Sequence, residues 1–555
     1  MSGLFALFIG TAWLVPNHYL PWLAAWNETL AIFGLLLLLL FTLTKTAATR
    51  VSWPLASVAV LCGVLPWVQF TSGKLMFAGD ALMVSWYIGL WLAALLAGRL
   101  LAESSKLHDG LNALMVVWLV ASVLSVGIAL VQYTGAVNLG IYAAELPPGA
   151  RPFANMAQPN NFSTACFIGL GGLLWLYQLK RVNSGVFGLT AAFLLLGMVL
   201  SQSRTAWLQM GLLLMWGFAM QERAALRITR TGLVMLGSGF ALGVVLLPWV
   251  TDALLLRAGR TLGDQMQAGM RLPFWREMLD AISREPWTGY GWEQIGSAQQ
   301  RVALDHSALG DYFEHGHNLI LDLMLWNGVP VGALIVALLV WWFASRVRAC
   351  RDARVVWLLA AVGGAFTHAM LELPLEYAYF LIPVGLMMGA IDALSPSLGP
   401  TLNVNRWAAL VGTGVLSIGF VAIASDYVKA EENYRILRLE SARIGVSGIV
   451  TPAPDLHLLT QLEAFLQFAR IEAKPEMSPE QVDWMRKVAL RFGYPPVLFR
   501  YALAAGLNGQ PEVARQTLAL ICRIHPVERC TEAREGWAEL QTKYPQLLDI
   551  AMPEQ

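Results

Sequence analysis

The chain has 555 residues, of which 57% are hydrophobic and 14% are charged. A soluble protein of this length carries more charge, so lipid must be its main solvent. The formal net charge of +1 excludes the strongly basic surface of a nucleic-acid-binding protein. The composition predicts an all-α, polytopic membrane protein.

Thirteen apolar runs are long enough, or nearly long enough, to cross a bilayer as helices. They lie at about 3–15, 28–44, 51–71, 81–98, 111–134, 160–179, 184–202, 205–221, 231–250, 317–343, 355–374, 376–394 and 407–425. The sequence therefore predicts about thirteen transmembrane helices in a membrane domain of residues 1–425, with one large loop at 251–316.

Lys and Arg are distributed unevenly among the loops between these runs. The loops of one alternation hold Lys45, Arg50, Arg99, Lys106, Lys180, Arg181, Arg223, Arg227, Arg230, Arg346, Arg348, Arg351, Arg354 and Arg406. The short loops of the other alternation hold little more than Lys74, Arg151 and Arg204. Positive residues near the ends of membrane segments stay in the cytoplasm. We therefore expect a cytoplasmic N-terminus and a periplasmic location for loop 251–316 and for residues 426–555.

Residues 426–555 are polar and show helical periodicity. Apolar residues recur at helical spacing through 455–470, 481–491, 497–506 and 511–523, with Pro and Gly marking the turns. The stretch 501–526 is similar to one tetratricopeptide unit, so we expect stacked helical hairpins that present a surface to a partner. Cys522 and Cys530 are close enough in sequence to form a disulfide in an oxidising compartment.

Two histidines stand at the start of a long apolar helix, in the segment EHGHNLILDLMLWNG at 314–328. A neutral imidazole accepts a proton from a hydroxyl near neutral pH. His317, which Asn318 and Asp322 follow, is therefore predicted to act as a general base, with His315 as a second candidate. The alternative is that both histidines only begin the helix or lie among lipid headgroups.

Arginines on the side from which positive charge is normally removed are a second group of candidates. Arg151 and Arg204 lie in short loops, and Arg271 and Arg276 lie in the large loop. A guanidinium offers a rigid set of donors for phosphate oxygens, so several around one cavity would bind a diphosphate and stabilise it as it leaves. Helix termination and headgroup contact are the alternative roles.

Polar residues collect at two further points on the same side. Gln158 and Asn160 open a membrane helix, where they either cap it or recognise sugar hydroxyls or phosphate. Glu372, Tyr377 and Tyr379 lie where two late runs meet. A glutamate there either orients a histidine or binds a cation, and the tyrosines are either interfacial anchors or ligands. No Walker loop or Gly-rich nucleotide fingerprint is present, which argues against nucleotide-driven chemistry.

With these residues, the chain resembles the bacterial O-oligosaccharyltransferases of the PglL type, part of a group that includes O-antigen ligases and O-antigen polymerases. The likeness covers most of the membrane part. It rests on the strings PNHYLPW, ARPFANMAQPNNFST, SQSRTAW, RLPFWREMLDAISREPWTGYGW, HNLILDLMLWNG and ELPLEYAYFLIPVGLMMG in this order. The resemblance implies transfer of a preassembled glycan from undecaprenyl diphosphate to an acceptor hydroxyl in the periplasm, without nucleotide sugar, without a cofactor and with no established metal requirement.

The resemblance also implies roles for particular residues. The family's essential histidine matches His317, and its carboxamide in the QPN string matches Gln158. Its basic residues match Arg204 and either Arg276 or Arg271.

The family's late tyrosine matches Tyr377 or Tyr379. The QPNN string and the C-terminal helices favour the protein-glycosylating subgroup. We therefore expect an inverting displacement, in which a Ser or Thr hydroxyl of a pilin or another exported protein attacks the anomeric carbon and gives its proton to His317. The arginines would neutralise the departing lipid diphosphate.

Two other functions remain open. An O-antigen ligase or polymerase would use a lipid or glycan acceptor through the same chemistry. A transporter of lipid-linked glycan would distribute polar residues through the membrane midplane, whereas here they gather at one face. In each case we expect a protein of the bacterial inner membrane that contacts membrane lipids and no nucleic acid.

Overall fold

The computed structural model describes residues 2–46, 48–103, 108–254, 256, 269–396, 399–442, 444 and 451–552. Residues 257–268 of the predicted loop and 445–450 of the predicted tail lie outside this described part. The described chain is helical, as predicted, and it divides into two compact units. The first comprises Met1–Val60, Trp86–Gln267 and Ala337–Phe420, and the second comprises Leu61–Ser85, Ala268–Val336 and Val421–Gln555.

Each of the thirteen predicted runs contains a helix. The helices up to residue 441 are α1 (Ser2–Thr11), α2 (Ala25–Leu43), α3 (Trp53–Thr71), α4 (Ala78–Glu103), α5 (His108–Thr134), α6 (Pro159–Gln178), α7 (Ser184–Leu200), α8 (Arg204–Met220), α9 (Arg230–Ala253), α10 (Arg271–Arg284), α11 (Ile295–Val302), α12 (Leu319–Ala349), α13 (Ala353–Ala369), α14 (Ala378–Leu394) and α15 (Arg406–Ser441). Helices α10 and α11 lie in the predicted large loop.

Seven helices in the described part of the chain are long and apolar enough to cross a membrane, namely α2, α3, α4, α5, α9, α12 and α15. Helices α7, α13 and α14 are apolar but shorter, as is the segment Gly3–Leu14. A helix satisfies its backbone polar groups without water, which is why apolar runs take this form in lipid. The chain is a membrane protein, and the count of about thirteen spans and their orientation stay predictions.

Helix α6 is the centre of the first unit. All its residues from Asn160 to Leu176 are buried, and it packs against α5, α7, α8 and α13. A Cβ on Gly172 would lie 2.9 Å from the carbonyl oxygen of Met115 on α5. Small residues let helix backbones approach closely in membranes, so α6 can carry polar side chains into the centre of the unit.

A short antiparallel sheet in the first unit was not predicted. It pairs β1 (Ala48–Ser52) with β2 (Thr401–Asn405). Each strand runs directly into a long helix, β1 into α3 and β2 into α15, so the ladder sets the two helix starts side by side. The five residues of β1 are too few, and too close to an apolar run, to give a separate strand signal.

Helix α12 is interrupted inside the second unit. Gly328 has a φ of +75° and a ψ of 164°, and Pro330 follows it. Proline has no backbone N–H for the carbonyl of Trp326, and the displaced N–H of Val329 no longer reaches the carbonyl of Leu325. The break therefore leaves two carbonyl oxygens and one N–H that need other partners.

The segment 286–291 supplies those partners. Tyr290 N donates to the oxygen of Leu325 at 2.7 Å, and Gly291 N donates to the oxygen of Trp326 at 3.1 Å. The freed N–H of Val329 donates to the oxygen of Pro286 at 2.7 Å. Buried backbone polar groups that leave the helical pattern need partners elsewhere in the protein, and this segment supplies them.

Helix α15 extends well past the predicted end of its membrane span at 425. Its 36 residues rise about 54 Å at about 1.5 Å per residue, against roughly 30 Å for a hydrocarbon core. Its later part belongs to the second unit, where Asp426 Oδ2 accepts from Leu458 N at 2.7 Å. The predicted division of the chain at 425/426 stays a prediction, and it falls within this continuous helix.

The tail consists of α16 (Thr460–Phe468), α17 (Pro479–Arg491), α18 (Pro495–Leu507), α19 (Pro511–Ile524) and α20 (Val527–Lys543) around a common apolar core. The first four occupy the predicted helical stretches. Helix α20 was not predicted, because it buries only Cys530, Ala533 and Trp537 among many charged residues. The predicted disulfide between Cys522 and Cys530 is confirmed and joins α19 to α20.

We predict that Gly328→Ala destabilises the protein. Its Cβ would collide with the carbonyl oxygen of Trp287, and a non-glycine residue at this combination of φ and ψ costs about 1–3 kcal/mol from strain alone. Gly188→Ala in α7 is the matched control, since a Cβ there meets no atom within 4 Å. Thermal unfolding in detergent should give a lower midpoint for Gly328→Ala than for wild type or Gly188→Ala. Three equal midpoints would contradict the assignment.

Candidate active site

Polar side chains from three segments meet in the first unit. Asn160 Nδ2 donates to Glu372 Oε1 at 3.0 Å, and Gln158 Nε2 donates to Glu372 Oε2 at 3.2 Å. Asn160 Oδ1 in turn accepts from Ser203 Oγ at 2.6 Å. The structure therefore brings together three predicted site residues and adds Ser203, which the sequence analysis missed.

The bond between Asn160 and Ser203 controls where α8 begins. Ser203 is the N-cap of α8, and its side chain accepts from Thr205 N. Arg204 is the first residue of that helix, so a fixed N-cap fixes the origin of its side chain. Arg151 donates to the carbonyl oxygens of Ser201 and Gln202, at 3.3 and 2.9 Å, in the same turn. Both predicted arginines of this unit thus lie at the α7–α8 turn.

A second polar layer lies one helical turn further along the same helices. Thr164 Oγ1 is 2.9 Å from His368 Nδ1, and Gln209 Nε2 donates to Thr164 Oγ1 at 2.8 Å. His368 and Gln209 are fully buried. The signal was present in the sequence, because Thr164 and His368 stand four residues from Asn160 and Glu372 on otherwise apolar segments.

The two predicted tyrosines stack with ring centroids 5.1 Å apart but differ in environment. Tyr379 is buried, its hydroxyl accepts from Asn161 Nδ2 at 3.1 Å, and its carbonyl accepts from Trp13 Nε1 at 2.9 Å. Tyr377 is only half-buried. Tyr379 therefore fixes the start of α14, and Tyr377 is the better exposed of the pair.

His317, in the second unit, adopts an unusual backbone conformation. Its φ is +51°, in the left-handed region that non-glycine residues seldom occupy. Asp322 Oδ1 accepts from Gly316 N at 2.6 Å, and Trp275 Nε1 donates to the oxygen of Gly316 at 2.9 Å. The Phe313 ring packs edge-on against the imidazole, with centroids 5.7 Å apart. Strain that neighbours hold in this way is concentrated at functional sites.

The role of capping α12 belongs to the residue after His317. Asn318 supplies the cap, since its Oδ1 accepts from Ile320 N at 3.0 Å and from Leu321 N at 3.3 Å. We name residues Asp311–His317 the histidine segment; it also contains the half-buried His315.

Helix α10 packs against the histidine segment and carries the other two predicted arginines. The rings of Phe274 and Phe313 stack at 4.0 Å, next to the bond from Trp275. Arg271 is half-buried at the start of α10 and Arg276 is exposed on it. These arginines and the two histidines belong to the second unit, and the other seven candidates belong to the first. That all of them serve one site stays a prediction.

A buried carboxyl on α10 was also missed. Glu277 is 2% exposed, and burial raises its pKa to about 7, against the opposing influence of His306. One turn on, the pKa of Asp280 is lowered by hydrogen bonds from Arg284 and His306. Glu277 follows Arg276 directly, so the sequence alone indicates a pair of charged residues on the surface.

Two family models match parts of the chain. Residues 189–336, which include Arg204 and the histidine segment, match a family model described as O-Antigen ligase. Residues 356–537 match one described as Virulence factor membrane-bound polymerase, C-terminal. No solved structure matches the chain.

Two curated relatives from Acinetobacter baylyi match almost the whole chain. One, a General O-oligosaccharyltransferase, is 31% identical over 543 residues, which cover 94% of this chain and 91% of the relative. The other, a ComP-specific O-oligosaccharyltransferase, is 26% identical over a match that covers 93% of this chain and 93% of the relative. The chain belongs to the O-oligosaccharyltransferases of the PglL type, membrane enzymes that transfer a glycan to protein.

We predict that Ser203→Ala lowers glycan transfer. The change removes the N-cap of α8, which costs about 1 kcal/mol, and it also removes the bond to Asn160 that fixes Arg204. Asn183→Ala is a matched control, because Asn183 caps α7 through Val186 N. Both variants should lose thermal stability, Ser203→Ala the more because it also removes the donor to buried Asn160 Oδ1. Only Ser203→Ala should lose transfer, and Ser203→Thr should restore it. Equal transfer by both alanine variants would contradict the role.

We predict that Glu277 makes stability fall as pH rises. Its pKa is about 7 in the folded protein against 4.5 for the free carboxyl, so its contribution is complete below pH 4.5 and is lost through pH 7. The full loss is about 3 kcal/mol. Between pH 5 and 8 the unfolding midpoint of Glu277→Gln should rise relative to wild type, whereas exposed Glu539→Gln should track wild type. A constant difference would exclude this titration.

Proposed function

We propose that this protein transfers a preassembled glycan from undecaprenyl diphosphate to a Ser or Thr hydroxyl of an exported protein, such as a pilin, at the periplasmic face of the bacterial inner membrane. The observation that carries the proposal is the left-handed His317, fixed by Trp275 and Asp322 through Gly316. It occurs in a chain that belongs to a protein-glycosylating family.

His317 acts as the general base in this proposal. The acceptor hydroxyl attacks the anomeric carbon as its proton passes to the imidazole, and the bond from that carbon to the diphosphate oxygen breaks. One displacement inverts the anomeric configuration and needs no covalent glycosyl-enzyme. The held turn at Gly316 and the Phe313 ring against the imidazole restrict its position, which lowers the entropy lost at the moment of reaction.

The departing diphosphate is neutralised by guanidinium groups. Arg151 and Arg204 lie together at the α7–α8 turn, and Arg271 and Arg276 offer further charge on α10. Because fixed positive charge compensates the developing negative charge, no metal ion is required.

The carboxamide side chains of Asn160 and Gln158 have different roles. Asn160 is engaged on both its amide nitrogen and its oxygen, so it positions Ser203 and Glu372. Gln158 commits its nitrogen to Glu372, which leaves its oxygen to accept from a sugar hydroxyl. Tyr377 is the tyrosine that contacts substrate, because Tyr379 is buried.

Acceptor range differs between the two relatives. The names of the two relatives differ on this point, since one is general and the other is specific for ComP. The five tail helices offer a surface on which an acceptor protein could dock.

Ligation or polymerisation of O-antigen is the second candidate, favoured by the descriptions of the two matching family models. Glycan blots of cells with and without the protein separate the two functions. Loss of glycan from exported proteins supports protein glycosylation. Loss from lipopolysaccharide alone would support the second candidate.

We predict that His317→Gly abolishes transfer and leaves the protein folded. Glycine accepts a φ of +51° without strain, whereas loss of a general base costs about 10²–10⁴ in rate. Glu476→Gly is a matched control, because Glu476 is another left-handed residue, at φ +61°, and is exposed on the tail.

The assay is reconstitution of purified protein with only lipid-linked glycan and acceptor protein. Wild type and Glu476→Gly should glycosylate the acceptor, and His317→Gly should not, although its cooperative unfolding transition should be retained. Normal turnover by His317→Gly would rule out the base. A wild-type protein that moved glycan lipid across vesicles but never transferred it would favour a transporter.

A further inference from the structure

We propose that the C-terminal helices hold the histidine segment in its working position, through a corner formed by Arg491–Tyr494 between α17 and α18. This inference rests on the proposed role of His317. It makes Tyr494 a positioning residue for the same reaction and gives the tail a task besides acceptor docking.

The corner bonds directly to the histidine segment. Tyr494 Oη donates to Glu314 Oε1 at 2.7 Å, and Gly493 N donates to Tyr312 Oη at 3.0 Å. The rings of Tyr312 and Tyr494 pack edge to face with centroids 5.6 Å apart. Glu314 is three residues before His317, so a shift of the corner passes to the imidazole through very little chain.

The corner fits closely against its surroundings. A Cβ on Gly493 would lie 2.7 Å from Tyr312 Cε2 and 2.8 Å from Gln300 Nε2. Gln300 also donates to the carbonyl oxygens of Ala489 and Leu490, at 3.2 and 3.1 Å. These carbonyls end α17 and have no partner within that helix, so a side chain of α11 anchors the end of α17.

Helix α11 also holds the histidine segment, through Gln299, the residue next to Gln300. Gln299 Nε2 donates to the oxygen of Asp311 at 2.9 Å, and its Oε1 accepts from Phe313 N at 2.9 Å. Gln299 and Gln300 thus fasten the histidine segment and the corner to one short helix. The corner and the segment therefore share a single support.

Arg491 anchors the corner at its other side. Its guanidinium contacts both carboxylate oxygens of Asp80 at 3.1–3.2 Å and lies 3.9 Å from Glu293 Oε2. The side chains of Arg491 and Asp80 are 12% and 2% exposed. A bidentate pair that is this well buried fixes geometry, because separation of the charges would leave both desolvated.

A second part of the tail, at the end of α19, contacts the corner and the chain before the histidine segment. His525 Nε2 lies 2.8 Å from the oxygen of Gly493, and the oxygen of Arg523 accepts from Leu309 N at 3.1 Å. The disulfide between Cys522 and Cys530 closes the loop that carries both residues. The tail therefore touches the chain before His317 from the end of α17, from the corner and from this disulfide-closed loop.

These contacts matter because the chain between Asp305 and Leu319 has no helix or strand. A loop of this kind is ordered by the scaffold around it. Misplacement of a catalytic group by about 1 Å can cost about a hundredfold in rate. Loosening the corner should therefore lower kcat and leave the binding of glycan donor and acceptor unchanged.

The test is Tyr494→Phe, which removes one hydroxyl. We expect kcat to fall about tenfold to a hundredfold, with KM for lipid-linked glycan and for acceptor protein unchanged. Amide hydrogen exchange in residues 311–317 should increase at the same time. Tyr501→Phe, the same change in the buried core of α18, is the matched control and should leave kcat and exchange as in wild type.

Glu314 provides the second pair of variants. Glu314→Gln keeps an acceptor for the Tyr494 hydroxyl and should retain most of kcat, whereas Glu314→Ala should behave as Tyr494→Phe does. Unchanged kcat and exchange in Tyr494→Phe would overturn the proposal. A raised KM for acceptor at unchanged kcat would also overturn it, and would assign the corner to acceptor binding. If wild type transferred no glycan, the proposed function would fail, and the exchange measurement would still decide whether the tail orders the histidine segment.

Discussion

A buried backbone polar group that leaves the helical pattern must find another partner within the protein, because an unpaired buried donor or acceptor is costly. This constraint shapes the second unit. Where α12 breaks at Gly328, the segment 286–291 takes over the unpaired groups. Where α12 begins, Asp322 and Trp275 satisfy both backbone groups of Gly316. The same bonds that make irregular backbone tolerable also hold His317 in a conformation that it would not adopt alone.

In the first unit, buried polar side chains, rather than backbone groups, need partners. Glu372 receives two carboxamide donors, and Asn160 passes the connection on to Ser203 and the start of α8. His368, Thr164 and Gln209 repeat the pattern one turn away. Buried polar groups are costly unless they are paired, so this network is both a structural requirement and the means by which Arg204 is placed.

The sequence predicts the helices well because lipid makes a long apolar run nearly synonymous with a helix. It also identifies Gln158, Asn160 and Glu372, since carboxamides and carboxylates at the ends of apolar runs are uncommon. It could not show that Asn160 is consumed by Ser203, or that Tyr379 is buried while Tyr377 is not, because these facts depend on contacts across more than 40 residues of chain. Helix α20 escaped prediction because only three of its residues are buried. The strain at His317 was likewise invisible, since a backbone angle leaves no mark on residue type unless the residue is glycine.

The central claim is that a held imidazole at position 317 removes the proton of the acceptor. Chemical rescue of His317→Gly tests it most directly, because glycine suits the left-handed backbone and leaves room for a free base. Transfer should be absent from the variant alone and should return in proportion to added imidazole, with a pH dependence that follows the pKa of each substituted imidazole used. Rescue that ignored the basicity of the added imidazole, or full activity of the variant without any, would contradict the account.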